Sequence, residues 1–498
     1  MKLALSAIAL VLLACAERVP AKPPAAKAAP SAAPSGSSGP PPDPEPFRVK
    51  RPAAGEAARF TYPTPETFKL ESGLQVYLLK RPSHVVAIDF VIRHGASSVP
   101  VGKSGLAGLT ARMLTEGTRR KSSAALAEAI ESLGTSLGSD AGRDDSSLSL
   151  SVLPQDVPRA LELMAEVATQ PAFAEAEFTR VRAEWLDGLR AERQDPMRLA
   201  SLTAVRALLG PALGSPVDGT LRDVAALKVA DLRDFHQRAY TPDNAALIVV
   251  GPLDKSELTT QVTQAFAGLR GKSKITEASE VPSTGFEKTR VLLVDRPEAV
   301  QSAIVVVQPG AKRSEEGHEA RQVVGRVLGG LFTSRLNMNL REKHAYTYGA
   351  FARPVEFRRW GALLASTSVR TDVTAEALDQ IVLELKRVAD PSLGAPLNDE
   401  EIGRAKADLV FSLGATLEHP ARMAGAASSL FVESLPIDYQ TRYSDLVRGL
   451  PREQIVASAR GVKATGLCIV VVGDRKKIEA NLQKRGYALE SAGPELSE

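Results

Sequence analysis

The chain carries the same strand pattern in both of its halves. Residues 75–96 align without a gap on residues 290–311. Eight of these 22 positions are identical: Val76/Val291, Leu78/Leu293, Arg81/Arg296, Pro82/Pro297, Val85/Val300, Val91/Val306, Gly95/Gly310 and Ala96/Ala311. A second match, of 247–251 with 469–473, lies at nearly the same offset. Two matches at nearly one offset indicate an internal duplication, so the chain is expected to build one domain twice.

Each half alternates strand-like and helix-like segments. In the first half, residues 75–80 and 85–93 are predicted strands, and two amphipathic helices follow. Successive strands followed by runs of helices favour an α+β fold over a doubly wound parallel sheet. We therefore predict two tandem homologous domains, residues 60–270 and 285–490, each a mixed, mainly antiparallel sheet covered by helices.

The first fifteen residues have the pattern of an export signal. Met1 and Lys2 precede an apolar stretch, residues 3–14, which is too short for a membrane-spanning helix of about 20 residues. The stretch ends in Leu-Leu-Ala-Cys15, which resembles the lipobox of bacterial lipoproteins. This resemblance implies a signal peptide over residues 1–15, lipidation of Cys15 and a place in the bacterial cell envelope. The alternative is a plain secretory signal with an incidental cysteine.

The residues that follow Cys15 are predicted to be a tether. Residues 16–59 are rich in Pro, Ala, Ser and Gly, and such a segment cannot bury enough apolar surface to fold. No aspartate directly follows Cys15, which by resemblance to known sorting rules favours the outer membrane, facing the periplasm. The net charge of +4, without any run of Lys or Arg, argues against nucleic acid as a partner.

One helical segment of the first half carries a recognisable motif in outline. It reads Gly105-Leu-Ala-Gly-Leu-Thr-Ala-Arg-Met-Leu-Thr-Glu-Gly-Thr118. It resembles the pitrilysin/insulinase (inverzincin) family of zinc peptidases, whose members carry G-L-A-H-x-x-E-H-x-L-x-x-G-T here. The stretch Tyr240-Thr-Pro-Asp-Asn-Ala245 resembles the Y-x-P-x-N segment of the same family. The resemblance covers most of residues 65–485 and implies domains of the LuxS/peptidase-like metalloenzyme type.

The zinc ligands of that family are missing. In the family, two histidines one helical turn apart bind zinc, and a glutamate between them activates the bound water. Those positions hold Gly108, Ala111 and Arg112, and the place of the third ligand, a glutamate, falls near Gly188. No two of the six histidines are three or four residues apart: His84, His94, His236, His318, His344 and His419. The resemblance therefore implies that this chain binds no zinc.

A second motif of the same family is intact in the second half. The segment Leu328–Tyr348 resembles the signature L-G-x-x-x-x-S-R-L-x-x-x-L-R-E-x-x-x-x-x-Y. In the family, its last arginine and its tyrosine hydrogen-bond the scissile carbonyl and the oxyanion that develops from it. Arg341 and Tyr348 stand at those positions, and a guanidinium and a phenol are suitable donors. The alternative is that Arg341 forms an ion pair at a helix end and Tyr348 packs on a strand.

The two motifs together imply a divided function. In two-chain members of the family, one chain carries zinc and the other supplies the arginine and tyrosine. The resemblance implies that this chain is the non-catalytic, substrate-binding subunit of a heterodimeric zinc metallopeptidase. Its partners would be a zinc-bearing paralogous subunit and extended peptides, held by strand addition to a sheet edge. The alternative is an inert assembly protein, similar to the core subunits of mitochondrial cytochrome reductase.

Overall fold

The computed structural model describes residues 59–275 and 286–493. The predicted signal peptide, Cys15 and nearly all of the predicted tether lie outside the described residues. Among the helices that are described, none is both long enough and apolar enough to cross a membrane.

The first half contains six strands and eight α-helices within its described residues. They follow one another as β1 (Glu66–Lys69), β2 (Gln75–Lys80), β3 (Val86–Ile92), α1 (Leu106–Leu114), α2 (Ser123–Glu131), β4 (Gly138–Ala141), β5 (Ser146–Val152), α3 (Val157–Thr169), α4 (Glu175–Glu192), α5 (Pro196–Leu213), α6 (Leu221–Ala226), α7 (Val229–Ala239), β6 (Ala245–Gly251) and α8 (Lys255–Ala265).

The second half has the same number of strands and of α-helices in its described part. They are β7 (Arg290–Asp295), β8 (Gln301–Gly310), α9 (His318–Gly325), α10 (Arg335–Asn337), β9 (Ala350–Glu356), β10 (Gly361–Arg370), α11 (Thr374–Ala389), α12 (Asp399–Glu418), α13 (Pro420–Val432), α14 (Tyr439–Gly449), α15 (Arg452–Arg460), β11 (Cys468–Gly473), α16 (Arg475–Lys484) and β12 (Leu489–Ser491). Helix α10 continues as a π-helical segment, Met338–Lys343.

Each half forms one six-stranded sheet, and the strands of the two sheets follow the same spatial order. The orders are β1-β2-β6-β3-β5-β4 and β12-β7-β11-β8-β10-β9. The pairs β2–β6 and β7–β11 are parallel, whereas β3 and β8 run antiparallel to both of their neighbours. The sheets differ at one end, because β1 is antiparallel to β2 and β12 is parallel to β7. The prediction of mixed, mainly antiparallel sheets covered by helices is confirmed.

The central strands are apolar because both of their faces are buried. Every residue of β6 and of β11 is buried, and a strand covered on both sides reads as a continuous apolar run. Strand β5 lies nearer the edge and alternates serine with apolar residues. Burial also raises the pKa of the Cys468 thiol, at the start of β11, to about 12.

Each sheet is covered on one face by helices of its own half and on the other face by a helix of the opposite half. Helix α5 packs through Ala200, Ala204 and Leu213 on the sheet of the second half. Helix α13 packs through Met423, Ala427, Phe431 and their neighbours on the sheet of the first half. We call this arrangement the helix exchange. It buries two apolar faces that would otherwise meet water.

Hydrogen bonds between the two halves accompany the helix exchange. The Tyr62 hydroxyl donates to the Met423 carbonyl at 2.6 Å, and Arg93 Nε donates to the Phe431 carbonyl at 2.8 Å. The backbone N–H of Arg358 donates to Asp144 Oδ2 at 2.7 Å. The described residues form one compact unit.

Candidate functional site

Helix α1, which carries three of the degenerate metal positions, is a buried helix with a fixed start. Gly105 precedes it with φ 87°, and a Cβ there would lie 2.7 Å from the Asp218 carbonyl oxygen. A left-handed conformation and this close approach both require glycine. All residues of α1 except Arg112 are buried. Helix α1 is therefore fixed at its start and buried along most of its length.

The indole ring of Trp185 occupies the space beside Gly108. Trp185 lies on α4, and a Cβ at position 108 would be 3.0 Å from its Cζ2 atom. The indole N–H donates to the Asp218 carbonyl at 2.8 Å, which fixes the ring. Burial raises the pKa of the Asp218 carboxyl, and the Arg198 guanidinium 2.7 Å from it opposes that shift. A side chain at position 108 would therefore require the tryptophan ring to shift by a few tenths of an ångström.

Arg112 takes part in an ion-pair network where the second histidine would stand. Its guanidinium pairs with Glu116, which lies just past the end of α1 and whose side chain is only 5% exposed. Arg180 of α4 reaches the second oxygen of Glu116 at 2.5 Å, and Ser123 Oγ donates to that oxygen at 3.1 Å. The network links α1 to α4 and to the start of α2. Arg112 is thus a structural residue that leaves no free lone pair for a metal.

The other two degenerate positions also offer no ligand. Ala111 is buried, and its carbonyl accepts a hydrogen bond from Ser139 Oγ of β4 at 2.6 Å. Gly188 is exposed on α4, and no atom lies within 4 Å of a Cβ built there. The residue of α4 that reaches Gly108 is Trp185, three positions earlier. Across residues 59–275 and 286–493, no three His, Cys, Asp or Glu side chains gather to hold a metal ion.

This geometry predicts that zinc has no effect on the purified chain. We expect elemental analysis of the full chain to find far less than one zinc per molecule. The midpoint of thermal unfolding should change by less than about 1 °C when a chelator or zinc is added, because only a ligand that binds the folded state stabilises it. Stoichiometric zinc, or a chelator-induced loss of several degrees, would contradict this reading of the site.

Arg341 lies in the π-helical segment of the second half. Its side chain is 37% exposed, and its guanidinium lies 4.4 Å from the centroid of the Phe332 ring. Glu342 is its neighbour at 3.5 Å, a loose contact between two exposed groups that contributes little to stability. The aromatic face therefore positions Arg341 while its hydrogen-bond donors stay available.

Tyr348 projects from a turn whose backbone is fixed on both sides. The residue is 91% exposed. The Thr347 hydroxyl accepts from the Gly349 N–H at 3.0 Å, and the Ala350 N–H donates to Asn337 Oδ1 at 2.9 Å. Ala345, which starts this stretch, has φ 53°, a strained value for a residue with a Cβ. No hydrogen bond between Arg341 and Tyr348 occurs among the described residues.

Tyr346, the other tyrosine of this segment, is half-buried. Its ring stacks on His344 at 5.0 Å between centroids, and it packs against the core of the second half. Of the two tyrosines, Tyr348 is the accessible one.

Arg335, Leu336 and Leu340 of the second motif have structural roles. Arg335 forms a two-point ion pair with Glu401, at 2.9 and 2.8 Å, and also donates to the carbonyls of Ala395 and Pro396. Leu336 and Leu340 are buried in the core of the second half. These contacts set the position of the helix that presents Arg341.

Three exposed apolar residues lie close to Arg341 and Tyr348 in space or in sequence. Phe332 contacts Arg341, Phe351 lies 3.4 Å from a Cβ built on Gly349, and Met338 lies one turn before Arg341. We call Phe332, Met338 and Phe351 the apolar patch. Exposed apolar groups at polar side chains are typical of protein or peptide contact surfaces. No pattern in the sequence predicted the apolar patch.

Comparison with known proteins places both halves in one group. Residues 75–207 match the family described as Insulinase (Peptidase family M16), and residues 226–409 match the one described as Peptidase M16 inactive domain. An uncharacterized zinc protease of Streptomyces coelicolor is 25% identical over 83% of this chain and 90% of its own. A protein of Helicobacter pylori named as a non-peptidase homolog is 22% identical over 81% of this chain and 93% of its own. The solved peptidase M16 inactive domain from Pseudomonas fluorescens is 25% identical, with a TM-score of 0.75, over 82% of this chain and 98% of that one.

Proposed function

The chain belongs to the insulinase (M16) family of zinc peptidases, and we propose that it is the substrate-binding subunit of a heterodimeric enzyme whose zinc lies on the partner. In this proposal the first half acts as a scaffold. The second half presents Arg341 and Tyr348 to a peptide that the partner cleaves.

One observation carries the proposal. Tyr348 is almost fully exposed on a fixed turn, in the same signature as an arginine whose donors are available. A phenol that contributes nothing to the core of its own fold is suited to a ligand outside it. The surroundings of the degenerate metal positions support the other part of the proposal, since Trp185 packs beside Gly108 and Arg112 is paired with Glu116.

The chemistry assigned to the two residues is hydrogen bonding to oxygen. The guanidinium of Arg341 is permanently charged, and the Tyr348 hydroxyl can donate one proton. Both would bind the carbonyl oxygen of the scissile peptide bond and then the oxyanion that forms there, which they bind more tightly than the ground state. The partner's zinc would supply the Lewis acid and the activated water.

The free edges of the sheets support an extended peptide as substrate. Strands β4 and β9 each pair with a single described strand, so each keeps an open edge. An extended peptide adds to such an edge through backbone hydrogen bonds. Phe351 belongs to β9, so the apolar patch lies next to one of these edges.

The experiment that tests the proposal is reconstitution with a zinc-bearing paralogue from the same organism. We expect neither chain alone to cleave an unfolded peptide efficiently and the mixture to cleave it, with activity saturating at one fixed ratio of the two chains. The control variant Arg404→Ala, at a half-buried arginine of α12 paired with Glu400, should reconstitute as well as the native chain does. A paralogue that is fully active alone and gains nothing from this chain would contradict the proposal.

An assembly role is the second candidate. The apolar patch and the name of the Helicobacter pylori relative, a non-peptidase homolog, favour it. In that case the two chains would form a stable complex, but changes at Arg341 and Tyr348 would leave peptide hydrolysis unaffected. The variants argued in the Discussion therefore separate the two candidates.

A further inference from the structure

A polar cavity lies in the first half, and none of its lining residues is a degenerate metal position or a residue of the second motif. Its volume is about 500 Å³. The end of α3, helix α7 and residues 268–270 after α8 form its walls. Gly108, Trp185, Arg341 and Tyr348 are not among the residues that line it. The volume lies in the range that small-molecule ligands occupy.

Three arginines line this cavity, and no acidic residue does. They are Arg119, Arg233 and Arg270, and each is exposed to solvent at the cavity. In the part of the chain that the structure describes, none of the three forms an ion pair with a carboxylate. Other arginines of the same half, such as Arg112 and Arg180, are paired with glutamates. The cavity therefore concentrates positive charge without a counterion from the protein.

The backbone holds these arginines in place and leaves most of their donors free. Arg233 Nη2 donates to the Phe173 carbonyl at 2.9 Å, and Arg270 Nε donates to the Ala267 carbonyl at 3.3 Å. The N–H of Arg119 donates to the Gln170 carbonyl at 2.8 Å, which fixes the start of its side chain. A guanidinium has five donors, so each of the three can still bind oxygens in the cavity.

The wall behind the arginines is aromatic and uncharged. His236 stacks on Tyr240 at 4.6 Å and meets the edge of Phe173 at 5.5 Å. Its Nε2 lies 2.9 Å from the Ala168 carbonyl, which only accepts, so Nε2 carries the proton. Burial lowers the pKa of His236 to about 4, and the ring is neutral at pH 7.

Phe173 has strained backbone geometry at the same cavity. Its φ is 44°, a left-handed value that an aromatic residue rarely adopts. The hydrogen bond from Arg233 to its carbonyl holds this conformation. Strained residues persist where the surrounding structure needs a particular shape, and they concentrate at binding sites.

We propose that this cavity binds a phosphate-bearing ligand through Arg119, Arg233 and Arg270. Guanidinium groups bind phosphate through paired, charge-assisted hydrogen bonds, and three unpaired guanidiniums match a group that carries two negative charges. The neutral aromatic wall would contact the uncharged part of the ligand. The site does not depend on the proposed role of Arg341 and Tyr348. The phosphate could belong to a soluble molecule or to a lipid headgroup.

The test is calorimetric titration of the full chain with inorganic pyrophosphate. We expect one saturable site. Compared with the native chain, Arg233→Ala and the double variant Arg119→Ala/Arg270→Ala should bind pyrophosphate at least about tenfold more weakly, because each change removes a charge-assisted hydrogen bond. Arg190→Ala is the matched control, since Arg190 is an exposed arginine of α4 paired with Asp187. Its affinity should equal that of the native chain.

Two further probes complete the test. Succinate should bind much more weakly than pyrophosphate; equal binding would overturn the assignment to phosphate. If the phosphate belongs to a lipid headgroup, vesicles containing phosphatidic acid should displace pyrophosphate. If it belongs to a soluble molecule, the vesicles should leave pyrophosphate bound. Either result supports the site. Absence of pyrophosphate binding, or equal binding by all variants, would overturn the proposal.

Discussion

Replacement of Arg341 by alanine is expected to lower kcat for peptide hydrolysis by the reconstituted pair of chains about 100- to 1000-fold, the loss that follows removal of one oxyanion donor. Tyr348→Phe should lower kcat by a similar order, because it removes only the hydroxyl proton that the oxyanion would receive. KM should change much less, since donors to the oxyanion act mainly in the transition state. Steady-state kinetics at a saturating ratio of the two chains measures both constants.

Two control variants make this result specific. Tyr346→Phe removes the hydroxyl of the tyrosine that is stacked on His344, and Arg404→Ala removes an arginine that pairs with Glu400 on its own helix, α12. Both should retain native kcat, and all four variants should form the complex with unchanged affinity. Native kcat in Arg341→Ala and Tyr348→Phe, with the complex intact, would assign the chain to assembly and not to catalysis.

Replacement of Asp89 by asparagine is expected to stabilise the protein at pH 8 by about 3 to 4 kcal/mol and to change little at pH 4. Asp89 lies on β3, beneath the helix α13 that arrives from the opposite half. Burial raises the pKa of its carboxyl from 3.8 to about 7, and a hydrogen bond with Ser428 of α13 opposes this only partly. One pKa unit corresponds to about 1.4 kcal/mol, which sets the size of the effect.

The direction follows from the raised pKa. The folded state holds its proton on Asp89 more tightly than the unfolded state does, so this contribution to stability is complete below about pH 4 and is lost as the pH rises through about 7. Asparagine cannot ionise and removes the dependence. Urea unfolding at pH 4, 6 and 8 measures it, with the exposed Asp187→Asn as control. A difference between Asp89→Asn and the native chain that is the same at all three pH values would contradict this account.

Local patterns were sufficient to predict much of the fold. The strand predicted at 75–80 agrees with β2, and the one predicted at 85–93 contains β3, because apolar runs follow directly from which faces are buried. The predicted second helix begins after Ser122, whose hydroxyl accepts from the Ala125 N–H as an N-cap. Both sheets have the same strand order, as a duplication predicts. The predicted covering of the sheets by helices is confirmed.

Contacts between distant segments could not be predicted from one sequence. Nothing local to Trp185 indicates that its ring covers Gly108, because that contact joins two helices far apart in the chain. The position of Gly188 was inferred from spacing alone, and a spacing does not determine which face of α4 points inward. Arg335 belongs to a signature that predicts function, but the ion pair with Glu401 shows that its role is structural.

The helix exchange has a mechanical consequence. Separating the two halves of this polypeptide would pull α5 and α13 off the sheets that they cover and would expose two apolar surfaces at once. Such a molecule is expected to move as one body. In the proposed heterodimer, the opening that admits a peptide would lie at the boundary with the zinc-bearing chain, so the rate of substrate entry should be set by how readily the two chains separate.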